Sequence, residues 1–121
     1  MSKIAVLVGT AGVLAGATFH AGFKSAIPAP NSTVASPATI SVTFTEAVMA
    51  PPISTFQLLN ADSSVAQPVT VALKAGSKTT IEATVTKPLE AGKKYIVKWK
   101  NGAADDGHPY KGAFAFRVAA H

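Results

Sequence analysis

The chemistry of this chain concentrates in two places, His20 at the end of a hydrophobic leader and Asp106-Gly107-His108-Pro109 near the other terminus. A chain that begins with His offers two nitrogen ligands from one residue, because the free α-amine and the imidazole Nδ1 close a six-membered chelate ring. One carboxylate and a second imidazole would complete a tetragonal N,O set, the geometry and donor type that suit Cu(II). Zinc would more naturally take a tetrahedral site. In an extended or turn segment residues i and i+2 point to the same side, so Asp106 and His108 could reach one ion. Gly107 gives that backbone room to turn, and Pro109 stiffens the exit. Read alone, the same four residues also fit a surface turn closed by an Asx-type bond from Asp106. The third histidine, His121, is the last residue and reads as a frayed tail.

For His20 to lead the chain, residues 1–19 must be removed, and they read as a secretory signal peptide. Lys3 supplies a short positive region, and Ile4 to Val13 form an uncharged apolar run too short and glycine-rich for a membrane span. The alternative is an uncleaved N-terminal anchor. The position of the cut is itself a choice. The small-residue pattern Ala15-Gly16-Ala17 would leave Thr18-Phe19-His20 at the new terminus, whereas a cut after Phe19 exposes His20 but places a bulky side chain in the peptidase pocket. A Thr18 start would chelate Cu(II) or Ni(II) through the amine, two deprotonated backbone amides and the His20 imidazole, with no need of Asp106 or His108. Residues 20–121 form the remaining domain, about 102 residues, enough for one core and no more.

Composition narrows the function classes. There is no cysteine, so an exported domain has no disulfide staple, no thiolate nucleophile and no thiolate metal site. The formal charge of +5 comes mainly from scattered lysines. No long basic run and no aromatic interleaving suggests nucleic-acid binding. The lysines read as a solvated surface, with weak attraction to an anionic membrane surface left open. No Ser-His-Asp or paired-carboxylate arrangement suggests hydrolysis.

The elements that must hold these residues are short strands. Ile40, Val42 and Phe44 alternate with polar residues, as do Val69, Val71 and Leu73, then Ile81, Ala83 and Val85. Tyr95, Val97 and Trp99 follow, then Phe114, Phe116 and Val118. A period of two means one buried face and one wet face. Two further strands are expected over Ala21 to Ile27 and Thr55 to Leu59. Turn signals separate them, among them Pro28-Ala29-Pro30-Asn31, Pro51-Pro52, Ala75-Gly76-Ser77 and Asn101-Gly102. No stretch has helical periodicity. Seven strands in about 100 residues predict an all-β Greek-key sandwich or small barrel. Trp99, Phe44, Phe114 and Phe116 are expected in its core, not on a ligand-stacking surface.

The chain resembles the CopC/PcoC copper-resistance proteins of the bacterial periplasm. The likeness covers nearly all of the chain after the leader. It runs from His20-Ala21 through Ser25, Pro28-Ala29 and Phe44-Thr45-Glu46 with Val48. It continues through Leu89, Gly92, Tyr95, Val97 and Trp99 to Asp106-Gly107-His108-Pro109, Gly112, Phe114, Phe116 and Val118. Its specific part is the opening His with the late D-x-H-P after a strand Trp. The resemblance implies a seven-stranded Greek-key β-barrel, immunoglobulin-like in shape. It also implies a Cu(II) site of His20, Asp106 and His108. Glu46 matches a glutamate at the end of the family's second strand and is assigned the task of holding an imidazole or bound water beside the metal.

Two departures stand out. Some members carry a methionine-rich loop that binds Cu(I) through soft thioether sulfur. After the leader this chain has only Met49, so no dedicated Cu(I) site is expected. The stretch between Trp99 and Asp106 looks one residue longer than usual, which makes Asp105 a competitor for Asp106.

The leading expectation is therefore a monomeric, non-enzymatic periplasmic protein that holds Cu(II) and carries or buffers it, beside an inner-membrane permease of the CopD type. Two alternatives remain. One is a structural or adhesive immunoglobulin-like domain with an incidental D-x-H loop. The other is a copper-dependent oxidative enzyme, since an N-terminal His with a second His is similar to the copper brace of polysaccharide monooxygenases.

Overall fold

The computed structural model describes residues 22–104 and 109–120. The leader, His20, Asp105, Asp106, His108 and His121 lie outside the described residues.

Two β-sheets pack face to face. In chain order the strands are β1 (Phe23–Ile27), β2 (Thr33–Val34), β3 (Thr39–Phe44), β4 (Thr55–Asn60), β5 (Val65–Gln67), β6 (Thr70–Leu73), β7 (Thr80–Thr84), β8 (Lys94–Gly102) and β9 (Pro109–Val118). One sheet has the order β2-β9-β8-β4-β5, the other β1-β3-β7-β6. The architecture is the all-β Greek-key sandwich expected from the alternation. All seven expected strands are present, and the short β2 and β5 add an edge to either end of the larger sheet.

Alternation decides which side chains meet. Ile40, Val42 and Phe44 from β3 and Ile81 and Ala83 from β7 face Phe56 and Leu58 from β4. From the same sheet as β4 come Tyr95, Val97 and Trp99 of β8 and Phe114, Phe116 and Val118 of β9. Trp99 anchors one end. Its ring lies 5.7 Å from Phe23, 5.8 Å from Phe44 and 6.0 Å from Phe114, so one indole ties three other strands together. Tyr95 stacks on Phe116 at 6.0 Å nearer the other end. With no disulfide available, this apolar contact is the main cohesive term.

The sequence places a break at Asn101-Gly102, but β8 runs through both. Asn-Gly is a strong turn signal in isolation. Here Asn101 pairs with Tyr110 and Gly102 with Pro109, so a long-range ladder overrides the local preference. The last strand likewise begins earlier than its apolar pattern suggests. Pro109 is tolerated as the first residue of β9, a position where a missing N–H does little harm.

One polar side chain closes the far side of the core. Gln67 is buried, and its Oε1 accepts from the backbone N–H of Thr86 and of Lys87 and from the Thr86 hydroxyl. Its Nε2 donates to the Lys87 carbonyl at 2.9 Å. A single amide thus fastens β5 to the segment after β7. Gln67→Leu keeps the volume and removes all four bonds. It should lower unfolding free energy by about 2 kcal/mol in a denaturant titration. An unchanged midpoint would show that water replaces the amide at no cost.

Candidate metal centre

The candidate ligands flank described residues, and those flanks can be followed strand by strand. The β8–β9 pair is registered without interruption from Lys94↔Arg117 to Gly102↔Pro109. The last pair closes a hairpin whose connection, residues 103–108, contains Asp105, Asp106 and His108. Both ends of that connection are pinned. Ala103 forms an antiparallel bridge with Val48, the Ala104 N–H donates to the Ala47 carbonyl at 3.0 Å, and the Met49 N–H donates to the Gly102 carbonyl at 2.8 Å. On the exit side, Tyr110 is paired with Asn101.

The N-terminal flank arrives at the same end of the sandwich. Phe23 pairs with Phe44, and the Thr45 N–H donates to the Gly22 carbonyl at 2.9 Å. Gly22 is buried and backs onto the Tyr110 side chain, whose Cβ would lie 3.7 Å from a Cβ placed on the glycine. Residue 22, two after His20, therefore touches residue 110, two after His108.

Glu46 sits between the two flanks. Its neighbour Thr45 is bonded to Gly22, and its other neighbour Ala47 is bonded to Ala104. Its side chain is exposed and lines a surface depression with Ala47, Lys78 and Ala104. A carboxylate there faces solvent, free to accept from an imidazole N–H or a bound water.

Among the described residues no group of three or more His, Asp or Glu could hold a metal. All three histidines lie outside them. The structure therefore brings together Gly22, Glu46, Ala104 and Tyr110, while His20, Asp106 and His108 themselves are beyond what it describes. Met49 is at this end too. A Cβ on Gly102 would lie 3.0 Å from the Met49 Sδ and 3.3 Å from the Ile53 Cγ2, so the thioether packs closely against this glycine.

Asn101 escapes a reading of the sequence. It follows Tyr95, Val97 and Trp99 on the inward face of β8, is 1% exposed, and neither Oδ1 nor Nδ2 has a hydrogen-bond partner among the described residues. The signal is present, since extending the alternation by one step puts a polar residue where an apolar one belongs. The Asn-Gly turn signal hides it.

The family model described as the CopC domain matches residues 23–119. Among solved structures, CopC from Methylosinus trichosporium OB3b superimposes with a TM-score of 0.71 at 24% identity, covering 84% of this chain and 96% of that one. PcoC from Escherichia coli, described as a methionine-rich copper resistance protein, gives a TM-score of 0.70 at 27% identity, with 80% of this chain and 96% of that one covered. No curated protein sequence matches the chain significantly.

Asn101 also provides a test of local energetics. An apolar isostere removes two buried polar atoms that have no partner among the described residues, so Asn101→Leu should raise unfolding free energy by about 1 kcal/mol. A thermal melt that moves down instead would show that the amide has partners beyond the described residues.

Proposed function

Because the chain belongs to the CopC family, we propose that it is a Cu(II)-holding protein that carries or buffers the ion. The family is one of non-enzymatic copper-binding proteins of the periplasm. In this reading the leader is removed before His20. The His20 amine and imidazole, the Asp106 carboxylate and the His108 imidazole then form a tetragonal set suited to Cu(II). Glu46 accepts a hydrogen bond from one imidazole or from a bound water, which orients the ligand and raises its basicity.

The observation that carries this reading is the convergence of the flanks at one end of the sandwich. Gly22 is bonded to Thr45 and Ala104 to Ala47, and Tyr110 packs against Gly22. Gly22, Ala104 and Tyr110 are each two residues from a ligand, a span of at most about 7 Å of extended chain. His20 is more than eighty residues from Asp106 and His108 in sequence, and the meeting of their flanks supports placing all three around one ion.

Ligand type sets the oxidation state. Amine, imidazole and carboxylate are hard or borderline donors, and a carboxylate favours Cu(II) over Cu(I). The one methionine after the leader packs on Gly102 and has no second thioether. The proposed cargo is therefore Cu(II) alone, held by a monomer and exchanged with a membrane permease of the CopD type.

The decisive measurement is a Cu(II) titration followed by electron paramagnetic resonance on exported protein, with a chain retaining an extra Met before His20 as control. One tight equivalent with a nitrogen-rich tetragonal spectrum, lost in the control, is expected. Equal weak binding in both would overturn the reading. His108→Ala should lower Cu(II) affinity by orders of magnitude with the fold intact. If His108→Ala has no effect while tight binding persists, the terminus is Thr18 and the chelate is the amine, two amides and His20. Asp106→Asn should weaken binding less than His108→Ala, and a larger loss from Asp105→Asn would move the carboxylate ligand by one residue. Glu46→Gln should cost between about ten- and a hundredfold in affinity. Lowering the pH should release the ion, because amine and imidazole bind only when deprotonated. Affinity that stays flat on acidification well below the ordinary imidazole pKa of about 6.5 would contradict nitrogen ligation.

A further inference from the structure

The lysines that look scattered in sequence are gathered by strand register. The outward face of β8 carries Lys94, Lys98 and Lys100, and the outward face of β9 carries Lys111 and Arg117. Five of the chain's eleven lysines and arginines thus share one side of the larger sheet. Two pairs sit directly opposite each other across the ladder, Lys94↔Arg117 and Lys100↔Lys111. Like charges in that relation are destabilising.

No acidic side chain of β8, β9 or the neighbouring β4 offsets them. The outward residues of β4 include Thr55 and Gln57, both uncharged. The one ion pair among the described residues joins Lys93 to Glu90 and involves none of the five. Asp62, in the turn before β5, is already engaged by the Ser64 hydroxyl and N–H, which hold its carboxyl below the ordinary range. Asp105 and Asp106 belong to the hairpin connection beyond the described residues.

Each like-charge pair lines a surface depression together with neutral hydrogen-bonding groups. Lys100 and Lys111 do so with Lys98, Thr55 and Gln57. Lys94 and Arg117 do so with Asn31, Ser32 and Thr33. Six residues of strand separate Lys94 from Lys100, about 20 Å. The face therefore presents two cationic cups, each with hydroxyl or amide groups, on one side of the larger sheet.

We propose that this face docks on an anionic phospholipid surface, with lipid phosphates seated in the two cups. The choice of occupant follows from the residue types. Protein interfaces are depleted in lysine and built around buried aromatic or apolar anchors. Here the only large apolar side chain on the outward face between the two basic pairs is Ile96, itself half-buried. Single-stranded nucleic acid would need exposed aromatics. Basic residues spread along one sheet face match a diffuse array of headgroups, where each adds to the attraction. Docking this way would lay the β8–β9 hairpin, and the end that gathers Gly22, Glu46 and Ala104, beside the bilayer. Such docking needs no copper and does not depend on the metal site.

The test is co-sedimentation of exported, leader-free protein with vesicles of equimolar phosphatidylglycerol and phosphatidylcholine, against vesicles of phosphatidylcholine alone, at low salt. Binding to the anionic vesicles only, abolished by raised salt, is expected. Lys98→Glu with Lys100→Glu should reduce that binding at least about tenfold. Lys74→Glu with Lys87→Glu changes net charge by the same amount away from this face and should leave binding within about twofold. Lys100→Glu creates an attractive pair with Lys111, so a fall in thermal stability is not expected to confuse the result. Equal loss in both double variants would mean net charge alone acts, and would overturn the assignment to this face. No sedimentation of the parent protein, or capture by polyglutamate in place of vesicles, would overturn the lipid assignment.

Discussion

Nine consecutive residue pairs between β8 and β9, from Lys94↔Arg117 to Gly102↔Pro109, set most of what this molecule can do. Side chains alternate across a strand with a strict period of two, so a slip of one residue would exchange every inward and outward position at once. In the observed register Tyr95, Val97 and Trp99 point into the core opposite Phe116, Phe114 and Gly112. The same register sends Lys94, Lys98 and Lys100 outward and ends the ladder at the start of the loop that holds Asp105, Asp106 and His108. Core, basic face and candidate copper loop are three consequences of one pairing.

The core and the flanks of the candidate site meet at Trp99. Its indole contacts Phe23, which follows Gly22, and Phe44, which precedes Thr45 and Glu46. The apolar cluster therefore fixes the strand ends from which the N-terminal flank and Glu46 emerge. Ordering those ends in advance matters for a metal site, because ligands held near their final positions lose less freedom on binding. In a domain without disulfides, aromatic packing is the means by which two remote parts of the chain are kept adjacent.

Polar groups mark where the sandwich departs from a plain apolar core. Gln67 is buried with both the oxygen and the nitrogen of its amide engaged, and it fastens an edge. Asn101 is buried without a partner among the described residues, directly beneath the end of the sheet from which the candidate loop departs. Buried amides of the same chemistry thus play opposite energetic parts, decided by whether a backbone segment lies within reach.

Alternating apolar residues make five of the seven principal strands legible in the chain itself, because burial of one sheet face leaves that pattern directly in the residue order, and turn signals delimit the other two. The core roles of Trp99, Phe44, Phe114 and Phe116 are legible for the same reason. The donor types of His20, Asp106 and His108 can also be read without reference to a fold. Three things are not legible. Asn101 and Gly102 read as a turn because local preference is all a single segment expresses, whereas their strand state comes from Tyr110 and Pro109 across the ladder. Gln67 gives no signal, since its partners Thr86 and Lys87 lie about twenty residues away and meet it only when β5 is in place. The meeting of Gly22, Glu46, Ala104 and Tyr110, and the gathering of Lys100 with Lys111, depend on pairings between distant strands. Residue type and period are properties of the chain alone; adjacency between remote residues exists only once loop-closure entropy has been overcome by the packed core.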